Sequence, residues 1–186
     1  SFLLFEGIVP KEKSLREINE AINHKKAFDY MISYEGDITK EFILKLHELV
    51  VLDTLRQDLI HQIGKYRTVQ VFVGGSIPPK ASDVPKEMAR LLKGYSINKK
   101  KLHPLVLASY FHTEFEKIHP FVDGNGRVGR LLINFILHRN KYPMINIPKK
   151  RRFKYYEVLQ NAQYKNNLRG FVSFLMSILK KDKLRF

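Results

Sequence analysis

His119-Pro120-Phe121-Val122-Asp123-Gly124-Asn125-Gly126-Arg127-Val128-Gly129-Arg130 is the stretch that decides how this chain folds. Upstream of it, Leu105, Ala108, His112, Phe115 and Ile118 recur at three- and four-residue steps, the spacing of a helix with an inward stripe. Downstream, Leu131, Leu132, Phe135 and Ile136 begin a second apolar helix. The stretch is therefore a helix–loop–helix connection whose last residues form a helix N-terminus.

That position carries a chemistry. The first turn of a helix offers unpaired backbone N–H groups and the positive end of the macrodipole. Glycines let backbone approach a ligand closely, so Gly124-Asn125-Gly126 reads as a nest for phosphate oxygens. Arg127 and Arg130 share a helix face and can clamp one anion. Asp123 at the mouth reads as a Mg2+ ligand beside phosphates. His119 is the group here that titrates near neutrality, as a general base must. Taken singly, Gly-Asn-Gly is a turn, His-Pro is structural and two arginines are a solvated helix face. Together, in this order, they are hard to obtain by chance.

The pattern His-Pro-Phe-x-x-Gly-Asn-Gly-Arg-x-x-Arg resembles the defining motif of the Fic-domain family at every motif position, with Asp123 in the acidic place before the first motif glycine. The resemblance runs from Gly64 to about Phe174, more loosely from Glu6, and is especially strong to the family's animal endoplasmic-reticulum branch. It implies a mainly α fold, a Fic-type helical bundle with one small β-hairpin flap. It also implies a nucleotidyltransferase that moves AMP from ATP to a Tyr, Thr or Ser hydroxyl of a target protein. ATP is then the substrate and Mg2+ the cofactor.

Composition bounds the alternatives. With 186 residues and 44% apolar content the chain can build one domain with a core. No apolar run reaches the roughly 18 residues of a membrane span. Phe2-Leu3-Leu4-Phe5 is too short for a signal peptide, and Ser1 in place of Met fits an excised segment. There is no cysteine, so disulfide and thiol chemistry are excluded and a cytoplasmic location is the expectation. The net charge of +15 implies an acidic partner such as nucleotide phosphate, nucleic acid or an acidic protein surface. The runs Asn98–Lys101 and Lys149–Arg152 are not interleaved with aromatics and read as solvated loop and helix ends.

Taken in order, residues 1–13 are expected to form an inhibitory helix segment and 14–186 the Fic domain. By resemblance, Glu6 of Glu6-Gly7 is the inhibitory residue, pairing with Arg130; Phe2 stands where the family has Ser or Thr. Ser14-x-x-Glu17 fits a capping box for a helix burying Leu15, Ile18 and Ile22. Thr39 caps a helix burying Phe42, Leu46, Leu49 and Val50. Val69, Val71 and Val73 alternate with Gln70 and Phe72 and predict a hairpin turning at Gly74-Gly75. The resemblance makes residues 67–77 a flap that holds the target by strand addition, with Val73, Gly74, Gly75 and Ser76 lining the nucleotide. Further helices are predicted over Val84–Gly94, from Pro104, over Phe153–Tyr164 and after Gly170.

The remaining nucleotide-binding residues implied are Asp123, Gly124, Asn125, Gly126, Arg127, Val128, Gly129 and Arg130, with Tyr155, Tyr156 and Gln163 beside the adenosine. Gln163 stands where the family usually has Asn, and Gly126 where its phosphorylating members have Lys. His112 and Glu116 lie one turn apart with no third ligand in sequence, which disfavours a transition-metal site. Alternatives within the family are transfer of UMP or phosphocholine, or removal of AMP. Outside it, a basic nucleic-acid-binding module is the alternative; a flanking domain absent from this sequence could also bind nucleic acid. A homodimer is left open.

Overall fold

The computed structural model describes residues 14–74 and 77–183. Residues 1–13, and with them Glu6, lie outside the described part, as do Gly75 and Ser76. The described residues are mainly helical: α1 (Leu15–Ser33), α2 (Lys40–Val51), α3 (Val84–Asn98), α4 (Pro104–Ile118), α5 (Asn125–Arg139), α6 (Arg152–Lys165) and α7 (Arg169–Lys183). Short 3-10 turns occupy Gln57–Gln62, Ala81–Asp83 and Lys149–Arg151. No helix among the described residues is long and apolar enough to cross a membrane.

Local chemistry explains where helices begin. Ser14 and Glu17 form a reciprocal capping box on α1, and Thr39 Oγ1 accepts from the Phe42 N–H on α2. Pro104 opens α4, where its missing N–H costs nothing, and His103 Nδ1 accepts from the Leu105 N–H.

The pair α4 and α5 forms the centre. Leu105, Ala108, Phe115 and Ile118 are buried as the spacing predicts, facing Val128, Leu131, Leu132, Phe135 and Ile136. Helices α1 and α2 pack together and against α5. Helix α3 packs on α4, and the α6–α7 pair covers another side of α4. The stripe of α7 is buried at Phe171, Phe174, Leu175, Ile178 and Leu179, as expected. The buried face of α1 is Asn23, Ala27 and Met31, whereas Leu15 is 74% exposed. The apolar spacing at the start of α1 was thus a poor guide, because it is the later turns that reach the core.

Among the described residues of 64–77, the expected β-hairpin does not appear as paired strands. Among the described residues there is no strand, and Val73 makes an isolated bridge only. The alternation survives as exposure: Phe72 is 77% exposed between half-buried Val71 and Val73. The reason is in the return arm. Pro78 and Pro79 have no N–H to donate, so a ladder cannot be built there. The segment is held instead by side chains. Gln62 pairs with Thr68 through both its amide atoms, and Gln70 donates to the Val71 and Pro78 carbonyls.

Candidate active site

Helix α4 ends at His119, whose backbone is left-handed at φ 50°. Arg67 holds that end. It is 2% exposed, and its guanidinium donates to the carbonyls of His119 at 2.8 Å, Val69 at 3.1 Å and Pro79 at 2.6 Å. Its own N–H donates to the Pro120 carbonyl at 2.8 Å. Among the described residues this buried cation has no carboxylate partner, and the negative end of α4 and its flanking loop satisfy it.

The loop beyond is braced from within. Phe121 is fully buried, stacked on His47 with ring centroids 3.8 Å apart and an interplanar angle of 3°. Asn125 is 2% exposed, and its amide clasps the Phe121 backbone, accepting from the N–H at 2.9 Å and donating to the carbonyl at 2.8 Å. The side chain of Asn125 is therefore committed to the loop, and its contact with a ligand is left to its backbone N–H. His47 Nδ1 accepts from the Gly64 N–H at 3.1 Å, so Nε2 carries the proton and donates to the Asp123 carbonyl at 3.2 Å. Burial pulls His47 down to about 4, which keeps it neutral. Gly124 caps α5 at φ 82°, and a Cβ there would lie 2.7 Å from Val51 Cγ1, so only glycine fits.

The first turn of α5 has no side-chain cap. Its N–H groups lie outside the helix ladder, apart from that of Gly124, which donates to Asp123 Oδ1 at 2.6 Å. Arg130 folds back over this turn, its Nη1 being 3.1 Å from where a Cβ on Gly126 would stand. Arg127 faces α1. It pairs with Glu20 at 3.4 Å and Asp123 at 3.3 Å, while Arg16 pairs with the same two acids at 3.2 Å each. Val128 and Gly129 are buried against α4.

Two cavities open here. One of about 630 Å3 is lined by Glu17, Glu20, His24, Asp123, Arg127, Arg130, Lys149, Arg152, Tyr155 and Tyr156 among others. Burial, then Arg130 and Arg127, pull His24 below the usual histidine range, so it adds no cation. A smaller, more apolar cavity of about 440 Å3 is lined by Val73, Gly74, Pro78, Glu116, Tyr156, Leu159, Gln163 and Tyr164 among others. Tyr156 lines both. Asp123, Arg127, Arg130, Tyr155 and Tyr156 are thus brought together in one cavity, and Val73, Gly74 and Gln163 in the other.

His119 lines neither cavity; its side chain is 17% exposed, with Nδ1 3.4 Å from the Glu116 carbonyl. Burial, then Arg67, pull its pKa below the usual histidine range against the opposing pull of the Glu116 carbonyl and Asp123. A neutral ring with Nδ1 turned to a carbonyl keeps its proton there and leaves the Nε2 lone pair for a substrate.

For a metal the test is the donor set. The described residues hold no cluster of three His, Cys, Asp or Glu side chains suited to one. Asp123 is a single carboxylate, 38% exposed at the mouth of the larger cavity. That suits Mg2+, which takes one or two protein carboxylates and completes its shell with phosphates and water.

No motif in the sequence marks Arg16, Glu20 or His47, and the spacing that marks Glu116 pairs it with His112 rather than with His119. His47 had one signal, a histidine on the inward stripe of α2 between Ile43 and Val51.

Comparison with known proteins identifies the family of the chain. A family model described as "Fic/DOC family" matches residues 37–137. The chain is 38% identical over 175 residues to protein adenylyltransferase Fic of Drosophila melanogaster, covering 91% of this chain and 34% of that protein. It therefore spans about a third of the length of the curated relatives it matches. Among solved structures, Fic-1 (residues 134–508) from C. elegans superposes with a TM-score of 0.86 at 28% identity, covering 98% of this chain and 55% of that one. A Fic domain containing signaling protein from Bacteroides thetaiotaomicron gives a TM-score of 0.84 at 28% identity, covering 96% and 74%. With the family match spanning more than half of its residues and the loop built as described, this chain belongs to the Fic/DOC family.

Proposed function

We propose that this domain is a protein adenylyltransferase, transferring AMP from ATP to a Tyr, Thr or Ser hydroxyl of a target protein. One observation carries the reading: a polar cavity bearing Arg127, Arg130, Lys149 and Arg152 meets a more apolar one at Tyr156, beside an uncapped helix N-terminus. A nucleoside triphosphate has that same division into an anionic and a flat apolar half. The names of the similar Drosophila proteins support the same activity.

In this reading, the first-turn N–H groups of α5 receive the α-phosphate, and Arg130 with Arg127 receives the leaving oxygens. The target hydroxyl oxygen attacks the α-phosphorus, the bond to the bridging oxygen of the pyrophosphate breaks, and the hydroxyl proton passes to His119 Nε2. Asp123 would hold Mg2+, which when bound offsets phosphate charge. For Asp123 and Arg127 to face the nucleotide, their pairing with Arg16 and Glu20 must loosen. Tyr156, Gln163, Val73 and Gly74 border the nucleoside. The target lies along residues 67–77, where strand addition needs backbone groups and no preformed hairpin.

The test is mass spectrometry of the protein incubated with Mg2+ and each nucleoside triphosphate. Gain of one adenylyl group from ATP, with α-label retained and γ-label lost, is the expected result. Uridylyl gain, γ-label retention, or DNA binding with no nucleotide-dependent gain would each replace the reading.

We place Glu6 as the inhibitory residue acting on Arg130, as family resemblance suggests. Glu6→Gly is expected to raise automodification by about ten-fold or more, one charge–charge contact being worth that factor at about 1.4 kcal/mol. An unchanged rate removes Glu6 from regulation.

A further inference from the structure

Helix α4 carries His112 and Glu116 four residues apart on one face, and His119, its C-cap, follows three residues later with Nδ1 turned back toward Glu116. His112 is fully buried, hydrogen-bonded through Nε2 to the Tyr155 hydroxyl at 2.8 Å, and held neutral by burial, which takes it down to about 3. Glu116 sits in the middle, its side chain 10% exposed.

Two features of Glu116 are unusual. Its Oε1 is buried without a hydrogen-bond partner among the described residues, a state that ordinarily costs stability. Its Oε2 lies 3.8 Å from His119 Nδ1, and its own carbonyl lies 3.4 Å from the same atom. Both acceptors facing Nδ1 thus belong to one residue. Across the helix pair, a Cβ on Gly129 would come within 2.8 Å of both Glu116 Oε1 and His112 Nδ1. A side chain at 129 would push the carboxylate off its line to His119. The motif glycine therefore makes room for an acid as well as for close helix packing.

We propose that Glu116 is a positioning residue for His119, holding the ring proton on Nδ1 and stabilising the imidazolium formed when Nε2 takes the target's proton. This rests on the transferase reading of the site. In the active form, with Glu116 ionised, the proton moves from hydroxyl to Nε2, Nδ1 keeps its own, and Glu116 takes up none. If Glu116 is protonated it donates to Nδ1 instead, which moves the ring proton to Nε2 and removes the lone pair. Arg130 and His112 face the carboxyl, while Arg67 and Asp123 act on the ring. Asp123 is already shared between Arg16 and Arg127, so Glu116 is the acid left to balance a positive His119. Burial pushes the carboxyl up to about 7 against Arg130, so its charge switches near neutrality.

The test compares Glu116→Gln and Glu116→Asp with the parent, each 15N-labelled at histidine, with the His119 signals identified by their loss in His119→Asn. The parent is expected to show His119 protonated at Nδ1. Glu116→Gln should show mixed tautomers, and Glu116→Asp partial recovery. In labelling with α-labelled ATP, kcat of Glu116→Gln should fall roughly ten- to hundred-fold, with KM for ATP within about two-fold. The parent rate should rise with pH through the region of 7, and that rise should be absent in Glu116→Gln. A parent-like tautomer population and pH profile in Glu116→Gln overturns the proposal, as does a loss confined to KM. If Glu116→Gln does not fold, Glu116→Asp decides by the same spectra. If the parent transfers no nucleotide at all, the transferase reading fails, and the tautomer comparison still decides whether Glu116 orients the ring.

Discussion

His119→Ala is expected to lower AMP transfer by about three orders of magnitude while nucleotide affinity stays within about three-fold, since positioned general bases contribute roughly 10²–10⁴. The argument is one of division of labour. The groups that would hold phosphates are the first turn of α5, Arg127 and Arg130, and the last two line a cavity that His119 does not. Removing the imidazole leaves positioning and charge stabilisation in place, and these supply much of any phosphoryl transfer. Ala at φ 50° carries backbone strain of roughly 1 kcal/mol, so His119→Asn is the companion variant; Asn tolerates that conformation and is no base. Labelling with α-labelled ATP and calorimetric titration of nucleotide read the two quantities separately. Loss of binding together with activity would make His119 a structural residue.

The sign of the pH effect follows from the same geometry. Burial and Arg67 lower the His119 pKa, so the neutral ring is the main form at pH 7. The base form is lost as pH falls through that lowered value. Acid should therefore extinguish transfer later than an ordinary histidine at about 6.5 would allow. Glu116 works in the other direction, because its protonation near 7 disturbs the tautomer first. A parent profile with its fall near 7, moved to lower pH in Glu116→Gln, separates the two groups.

What could be read from sequence was what is local. Helices α4 and α5, the loop between them and the stripe of α7 follow from steps of three and four residues. The caps at Ser14 and Thr39 follow from residue type over a span of three. The hairpin expected from the alternation in Val69–Val73 has no strand among the described residues, since Pro78 and Pro79 lack the N–H groups a return strand would donate. The polar brace of the site was invisible for a different reason. Arg67 to His119 spans 52 residues, His47 to Asp123 spans 76, and Arg16 to Asp123 spans 107. No periodicity reports such pairs; they exist only once α1, α2 and the 63–80 loop have packed around the end of α4 and the start of α5. The motif reading named the right loop, yet left Asn125 facing a phosphate when its amide closes the Phe121 turn.

Arg67 is where that long-range brace can be tested most severely. Arg67→Met is expected to cost about 3 kcal/mol, because it strips charged donors from carbonyls at the end of α4 while removing the desolvation cost of a buried cation. For a domain of this size that is a fall in Tm of roughly 6–12 °C. Met fills a similar volume, so the loss reports on the donors more than on packing. Arg67→Lys keeps the charge and the stem but has no planar fork, and it cannot reach the carbonyls of His119, Val69 and Pro79 in the same way. It should fall between Arg and Met. Below the Tm of the variant, transfer should drop further than nucleotide affinity does, since the carbonyl released belongs to His119 itself while the phosphate-facing turn of α5 is held separately by Asn125 and His47. Thermal unfolding with nucleotide titration on the same samples measures both. A Met variant within about 1 kcal/mol of the parent, or a Lys variant equal to it, would mean that the end of α4 is set by the apolar contacts of Ile118 and Phe121 and that the buried guanidinium is incidental to it.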